Sequence, residues 1–351
     1  MTLATSPVFA HDEMSCTSFA VPGEGTGIEQ GSYGSDINWA GTIVGGYIDA
    51  NDQEHGYIRA PNGSITKIDE AALGAIASSA AAINLYGAIT GSYVDANGDL
   101  HGFVRSPKGT YTTIDPPGSV ATQPSNINAV GAITGLYIDA NNKRHGFLRA
   151  ANGTYTSFDA PNTDNVTNPR GTNGFDINLY GVIVGTSRDG SNVRHGFVRN
   201  PNGSITAFDA PNAGTGPGQG TFGVSINPFG VISGLFVDQN NVRHGYLRTP
   251  NGQITQFDAP GAGTDAGQGT WLESGAGSTI NALGTITGFY YDANNFLHGF
   301  VRAANGTIKT LDYPGALNTE PASINDLGVI TGTFTYEDGA LHAMVCKPSR
   351  K

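Results

Sequence analysis

The sequence predicts an all-β fold, a seven-bladed β-propeller with four antiparallel strands per blade, and three observations predict it. A segment typified by residues 280–314 recurs seven times, each copy reads as four short strands, and the strand missing from the last copy is found at the other end of the chain.

Each copy is anchored by an asparagine preceded by Ile and followed three residues later by Gly: Asn38, Asn84, Asn128, Asn178, Asn227, Asn281 and Asn325. From that Asn to a closing Asp (Asp69, Asp115, Asp159, Asp209, Asp258, Asp312) is 31 residues in all six complete copies. The connections to the next anchor run 15, 13, 19, 18, 23 and 13 residues, so all length variation lies between units.

Within the sixth copy, residues 278–280 form strand A, and Asn281-Ala282-Leu283-Gly284 has the Asn-first, Gly-fourth preference of a type I turn. Residues 285–292, rich in Thr, Ile, Tyr and Phe, suit a pleated surface and form strand B. An Asp-Ala-Asn-Asn turn leads to strand C at 298–303. A turn reading Pro-Asn-Gly in copies one, four and five leads to strand D at 307–312.

A stacked β-solenoid is the rival for such a repeat, and the chain ends decide. The seventh copy stops after strand C, while Thr17-Ser18-Phe19-Ala20-Val21-Pro22 aligns with Thr156-Ser157-Phe158-Asp159-Ala160-Pro161. Splitting one repeat between the termini locks first to last in a closed ring and removes free edges, which an open solenoid does not need. Residues 1–16 are then a flexible leader and 17–351 one propeller, with 17–23 supplying the outer strand of the last blade.

The two cysteines fit that closure. Cys346 takes the strand-C place held elsewhere by Arg59, Arg105, Arg149, Arg199, Arg248 and Arg302, and Cys16 takes the place of Tyr111 and Tyr155. The Pro-x-Gly turn makes these places directly opposed, so a Cys16–Cys346 disulfide is expected. A disulfide implies an oxidising compartment, hence a secreted or periplasmic protein. Met1 to Ala10, ending Val8-Phe9-Ala10, resembles the tail of a secretory signal. A net charge of −11 and a pI near 5.0 disfavour a nucleic-acid partner. No apolar run reaches a membrane span, so no membrane insertion is expected, and the chain reads as a soluble monomer.

Seven of eight histidines (His55, His101, His145, His195, His244, His298, His342) start strand C, each six residues after the residue that ends strand B, an Asp in six copies. Seven equivalent active sites in one ring are improbable, so these pairs read as structural hydrogen bonds between each His and that Asp. Asp95-Ala96-Asn97-Gly98-Asp99 opens like a calcium loop, but no Glu closes it, and neither metal nor cofactor is expected.

The repeat, Ile-Asn-x-x-Gly-x-Ile-x-Gly followed by His-(Gly/Ala)-(Phe/Tyr/Met), resembles the bacterial probable extracellular repeats named for their His-Ala-Phe (HAF) tripeptide. His342-Ala343-Met344 comes nearest to it, and the Arg that follows the tripeptide in six copies, where family members often have Trp, marks a divergent branch. The resemblance implies an extracellular or periplasmic β-rich repeat protein and no particular activity.

Function is sought where copies differ, on the face carrying the D-to-A connections. Three of these share a second motif: Gln30-Gly31-Ser32-Tyr33, Gln219-Gly220-Thr221-Phe222 and Gln268-Gly269-Thr270-Trp271; a fourth has Arg170 and Asn173 in the Gln and aromatic places. An aromatic face beside an amide suits sugar rings. The expected ligand-binding residues are therefore Gln30, Tyr33, Arg170, Gln219, Phe222, Gln268, Trp271 and Glu273, and the expected partner is a carbohydrate or other small extracellular molecule. Catalytic residues are not identifiable, because no nucleophile elbow, phosphate loop or zinc motif occurs. The alternative is a secreted hydrolase or lyase using carboxylates assigned to the same face: Glu29, Asp36, Asp164, Asp176, Glu273 and Glu320. On the opposite face, Trp39, Tyr86, Tyr180 and Phe229 are expected to cover the floor of the ring.

Overall fold

The computed structural model describes residues 14–349, apart from 69, 162, 164–170, 274 and 276. These form strands throughout, with one short helix, Glu70–Leu73, in the first D-to-A connection. In the first unit, strand A is Gly31–Ile37, B is Ile43–Ile48, C is Glu54–Arg59 and D is Ile65–Lys67, paired antiparallel in that order. The same A-B-C-D pairing recurs along the chain, with the sixth unit running from Gly269–Trp271 to Ile308–Leu311.

The last unit takes A from Asn318–Ile324, B from Ile330–Thr335 and C from Leu341–Pro348, and its fourth strand is Met14–Phe19 from the chain start. That strand begins three residues before Thr17, because Met14 and Ser15 continue the ladder against Pro348 and Lys347. Cys16 stands directly opposite Cys346 and the two are disulfide-bonded.

The anchor asparagines explain themselves in three dimensions. Each side-chain Oδ1 accepts the N–H four residues on, closing its own A-to-B turn. Each Nδ2 donates to the anchor carbonyl of the next unit: Asn38 to Asn84, Asn84 to Asn128, and so on to Asn325, which donates back to Asn38, at 2.9–3.3 Å. An amide alone offers an acceptor to its own turn and a donor to its neighbour; Asp would lose the second bond. The chain of bonds returns to its start, so the seven turns lie at one level around an axis.

Packing is distributed between neighbouring units. The residue two after each strand-C histidine, Tyr57, Phe103, Phe147, Phe197, Tyr246, Phe300 or Met344, is fully buried in a separate cluster. The intervening Gly leaves room for the closing strand: a Cβ on Gly146 would sit 2.4 Å from the Phe158 ring.

Candidate functional site

Register identifies one level of strand A at which the copies differ most. Tyr33, Ser79, Gln123, Asn173, Phe222, Trp271 and Glu320 each pair with the residue eight positions after the anchor Asn of their own unit. The scaffold is the same and the chemistry is not: three rings, a hydroxyl, two amides and a carboxyl stand in equivalent places. Gln123 is exposed, and the Asn173 Oδ1 is enclosed without a partner among the described residues. Burial pushes the Glu320 carboxyl up from its ordinary value.

The three rings are half-buried. Arg194 lies 4.5 Å over the Phe222 ring and Arg243 lies 4.4 Å over Trp271, each reaching from the preceding unit. Trp271 also stacks on Phe289, at 6.0 Å between centroids. The Tyr33 hydroxyl donates to Glu54 and lies 3.0 Å from the Ser79 hydroxyl of the next unit; burial, then the Glu54 charge, pushes its ionisation up.

The Gln-Gly pairs hold these loops. In each, the Gln Oε1 accepts a loop N–H (Gly27, Gly216 or Asp265), and Nε2 donates to the left-handed residue of its own B-to-C turn (Asp52, Asn241 or Asn295). The Gln carbonyl accepts the N–H of Leu341, Arg194 or Arg243 in the preceding unit. The glycine then bridges to that same residue, joining sheets of adjacent units. A Cβ on Gly220 or Gly269 would lie 2.1 Å from the facing carbonyl oxygen, at φ near +105° and +107°, so only Gly fits.

The strand-C histidines have local partners, and the principal one differs from expectation. His101, His145, His195, His244 and His298 bond through Nδ1 to the strand-D aspartate (Asp115, Asp159, Asp209, Asp258, Asp312) at 2.8–3.1 Å. The strand-B aspartates stay 3.5–3.7 Å from Nε2 through Oδ2, which in five of the six accepts an Asn side-chain amide, while Oδ1 takes two backbone amides of the turn. Their turn amides hold the Asp49, Asp95 and Asp139 carboxyls below the usual range. The bond to Asp209 or Asp258 raises the pKa of His195 and of His244. Six histidines also stack on a strand-B ring.

Two carboxylates assigned in sequence to the D-to-A face lie elsewhere. Asp36 and Asp176 stand two residues before their anchors, at the A-to-B end, and line an axial cavity of about 330 Å³. Asp36 accepts from Ile37, Ile83 and Ser323, and Asp176 from Ile177, Ser225, Ile226 and Ser278, so each pins three units together. Burial raises both pKa values, that of Asp176 to about 6.

The floor of that cavity comes from the longest connection. In the sixth unit Gln268 precedes its anchor by 13 residues, against eight for Gln30 and Gln219, and the added length lies between Trp271 and the anchor, where Gly277 and Ser278 reach the axis. There Ser278 bonds Asp176 and Ser323, and the Asn126 amide reaches the Gly277 carbonyl. The spacing from Gln to Asn was the available signal for this plug. Tyr86, Tyr180 and Phe229 do not cover a floor: they sit at turn tips and are 68–71% exposed, and of the four only Trp39, 56% exposed, lines the axial cavity.

Of the residues expected from sequence to bind ligand, Tyr33, Phe222 and Trp271 share one level, and Gln30, Gln219 and Gln268 lie beside them in the fastening loops. Glu273 follows Trp271 and is half-buried, and Arg170 lies outside the described residues, as does Asp164. Ser79, Gln123, Asn173 and Glu320, which complete the level, were legible as the residue five before each anchor. Among the described residues no cluster of three metal-binding side chains occurs, and no helix is long and apolar enough to cross a membrane.

No known family and no curated protein matches the sequence. Among solved structures, the chain is similar to the β-propeller domain of the Trilobed protease from Pyrococcus furiosus, at 10% identity and TM-score 0.56, covering 91% of this chain and 97% of that one. It is similar to the BP39L lectin from Burkholderia pseudomallei, at 11% identity and TM-score 0.54, covering 93% and 98%. It is also similar to puromycin hydrolase, at 11% identity and TM-score 0.56, covering 89% of this chain and 50% of that one. These likenesses, with the four-stranded antiparallel units, establish an all-β chain of the β-propeller fold.

Proposed function

We propose that this chain is a seven-bladed propeller of the divergent His-Ala-Phe repeat kind. In this reading it is a secreted or periplasmic, monomeric binding protein for a carbohydrate or another small hydroxylated molecule, held at the channel mouth framed by the D-to-A connections. The observation that carries the reading is the level of strand A at which seven equivalent places hold Tyr33, Ser79, Gln123, Asn173, Phe222, Trp271 and Glu320. Aromatic edges beside amide, hydroxyl and carboxyl groups suit a ligand with apolar faces and many hydroxyls. Fixed loops lower the ordering cost of binding. Seven copies, the closed ring of anchor bonds and the unit shared between the termini support the blade count. The disulfide suits an oxidising compartment. A lectin among propellers of similar fold is consistent with the ligand class.

Because the Gln amides are engaged within the fold, contact with ligand falls to the ring edges, Gln123, Asn173 and Glu320, with Arg194 and Arg243 behind the rings. The hydrolase or lyase alternative rests on Glu320, the one carboxyl at this level and one that burial holds toward its protonated form. The test is a glycan-array screen followed by calorimetry on the best ligand with Trp271→Ala and Trp39→Ala. Trp271→Ala is expected to weaken binding about tenfold or more and Trp39→Ala to leave it unchanged. Equal affinity of Trp271→Ala and the unaltered protein would overturn the placement.

A further inference from the structure

The A-to-B end of the ring has a composition that neither the fold nor the proposed ligand site requires. The two middle positions of an Asn-x-x-Gly turn face solvent and are commonly polar, yet here every copy places a large apolar residue there. Trp39, Tyr86, Val130, Tyr180, Phe229, Leu283 and Leu327 are 56–71% exposed. Equivalent turns tied by the ring of asparagine bonds put these tips at one level around the axis.

The charge at this end is as one-sided as the polarity. Strand C ends here in Arg59, Arg105, Arg149, Arg199, Arg248 or Arg302, paired in register with the first residue of strand B and the start of strand D. None of the six forms an ion pair among the described residues. Five lie over an aromatic ring, and in all six the guanidinium reaches the glycine of the C-to-D turn. Arg199 and Arg302 are more than nine-tenths buried and donate through Nη1 to the Asn200 and Ala303 carbonyls, and the Nε of Arg59, Arg149, Arg199, Arg248 and Arg302 has no partner among the described residues. Lys108 and Lys347 add to this charge, and the one exposed carboxylate among the described turns of this end is Asp326. In a chain of net charge −11, the acidic groups therefore gather at the opposite end, where strands B and D finish in aspartates.

We propose that this end docks on the surface of an anionic lipid bilayer, with the turn tips seated in the headgroup and upper acyl region and the half-buried Arg59, Arg105, Arg149 and Arg248, with Lys108 and Lys347, facing lipid phosphates. Trp, Tyr and Phe favour that interface, and isolated tips separated by turns suit a fluid surface that deforms around each one. Basic residues within a Debye length add attraction to anionic headgroups, while the acidic end is repelled and sets the orientation. A second copy fits less well, because two such ends face to face would oppose two sets of unpaired arginines. The docking is peripheral and needs no spanning element.

The chain has two tryptophans, Trp39 on this end and Trp271 on the other, which makes the test direct. In Trp271→Phe, Trp39 emission is recorded with phosphatidylcholine vesicles, with and without phosphatidylglycerol, carrying brominated acyl chains. The expected result is a blue shift and quenching with phosphatidylglycerol present and little change without it. Adding Tyr180→Ser and Phe229→Ser should weaken vesicle binding about tenfold or more, since each removes apolar area from the contact, with melting unchanged. No quenching in the anionic vesicles, or full binding retained by the serine variant, overturns the proposal. A blue shift without vesicles that grows with protein concentration assigns the surface to a second copy and overturns it as well.

Discussion

The seam between the fourth and fifth units and the seam between the second and third are built from the same strands and joined differently. At the first, the Gln219 carbonyl receives the Arg194 N–H, Gly220 bridges to Arg194, and the two units merge into one sheet; the fifth and sixth units and the last and first join the same way. At the second, Ala121 stands in the glycine place and the units remain separate four-stranded sheets; a groove of about 310 Å³ lies between them at the A-to-B end. Between the sixth and seventh units the Asn318 side chain accepts the Leu297 N–H in place of a backbone carbonyl. A motif present in some copies and absent from others thus marks a pair of neighbours fastened together, and any role in binding is added to that one.

The largest effect expected from breaking the fastenings is at the closure, where the last unit takes its fourth strand from the far end of the chain. The Cys16→Ser/Cys346→Ser variant should lose up to about 6 kcal/mol in the chain-entropy view of so long a loop. Denaturant unfolding with and without reductant measures it. A loss under about 1 kcal/mol would show that the stitched seam beside it holds the ends alone. Next comes Gly220→Ala, which places a methyl against the Arg194 carbonyl at a left-handed φ and should cost about 2–4 kcal/mol. Its counterpart at the open seam, Ala121→Gly, should cost only about 0.5–1 kcal/mol. Equal losses at the two positions would mean that the bridge contributes nothing beyond local strand geometry.

Much of this architecture was legible because it repeats. The turn chemistry of Asn38 and its six counterparts, the β-prone residue types of strand B and the Pro-Asn-Gly reversals specify a four-stranded unit, and the opposition of Cys16 to Cys346 follows from turn length. The levels along strand A were harder. Asp36 and Asp176 sit two residues before an anchor, which places them at the A-to-B end, but treating the whole connection as one loop hid that distance. The extra length between Trp271 and Asn281 is visible as a count, but the count alone does not show that Gly277 and Ser278 reach the axis. The histidines show a different limit. An Asp six residues before His and another 14 after it are both in reach, and only the competition of turn amides for the first decides which one the ring meets.

The smallest expected effect tests the seams through a single hydroxyl. One residue after the glycine place of strand A, Thr221, Thr270 and Thr319 each accept, at 2.9–3.0 Å, the N–H that follows the strand-D aspartate of the preceding unit. In the third unit the equivalent Thr122 faces Pro116, which has no N–H, and its buried hydroxyl is left without a partner among the described residues. A buried hydroxyl with nothing to bond destabilises relative to a methyl of the same shape, whereas one that satisfies a buried amide stabilises. Thr122→Val should therefore be neutral or raise stability by up to about 1 kcal/mol, while Thr221→Val should cost about 1–2 kcal/mol by leaving the Ala210 N–H buried and unpaired. Chemical denaturation of the two variants side by side decides it. A loss at Thr122 equal to that at Thr221 would mean that the proline seam satisfies its hydroxyl through ordered water, and that the two kinds of seam differ less than their hydrogen bonds imply.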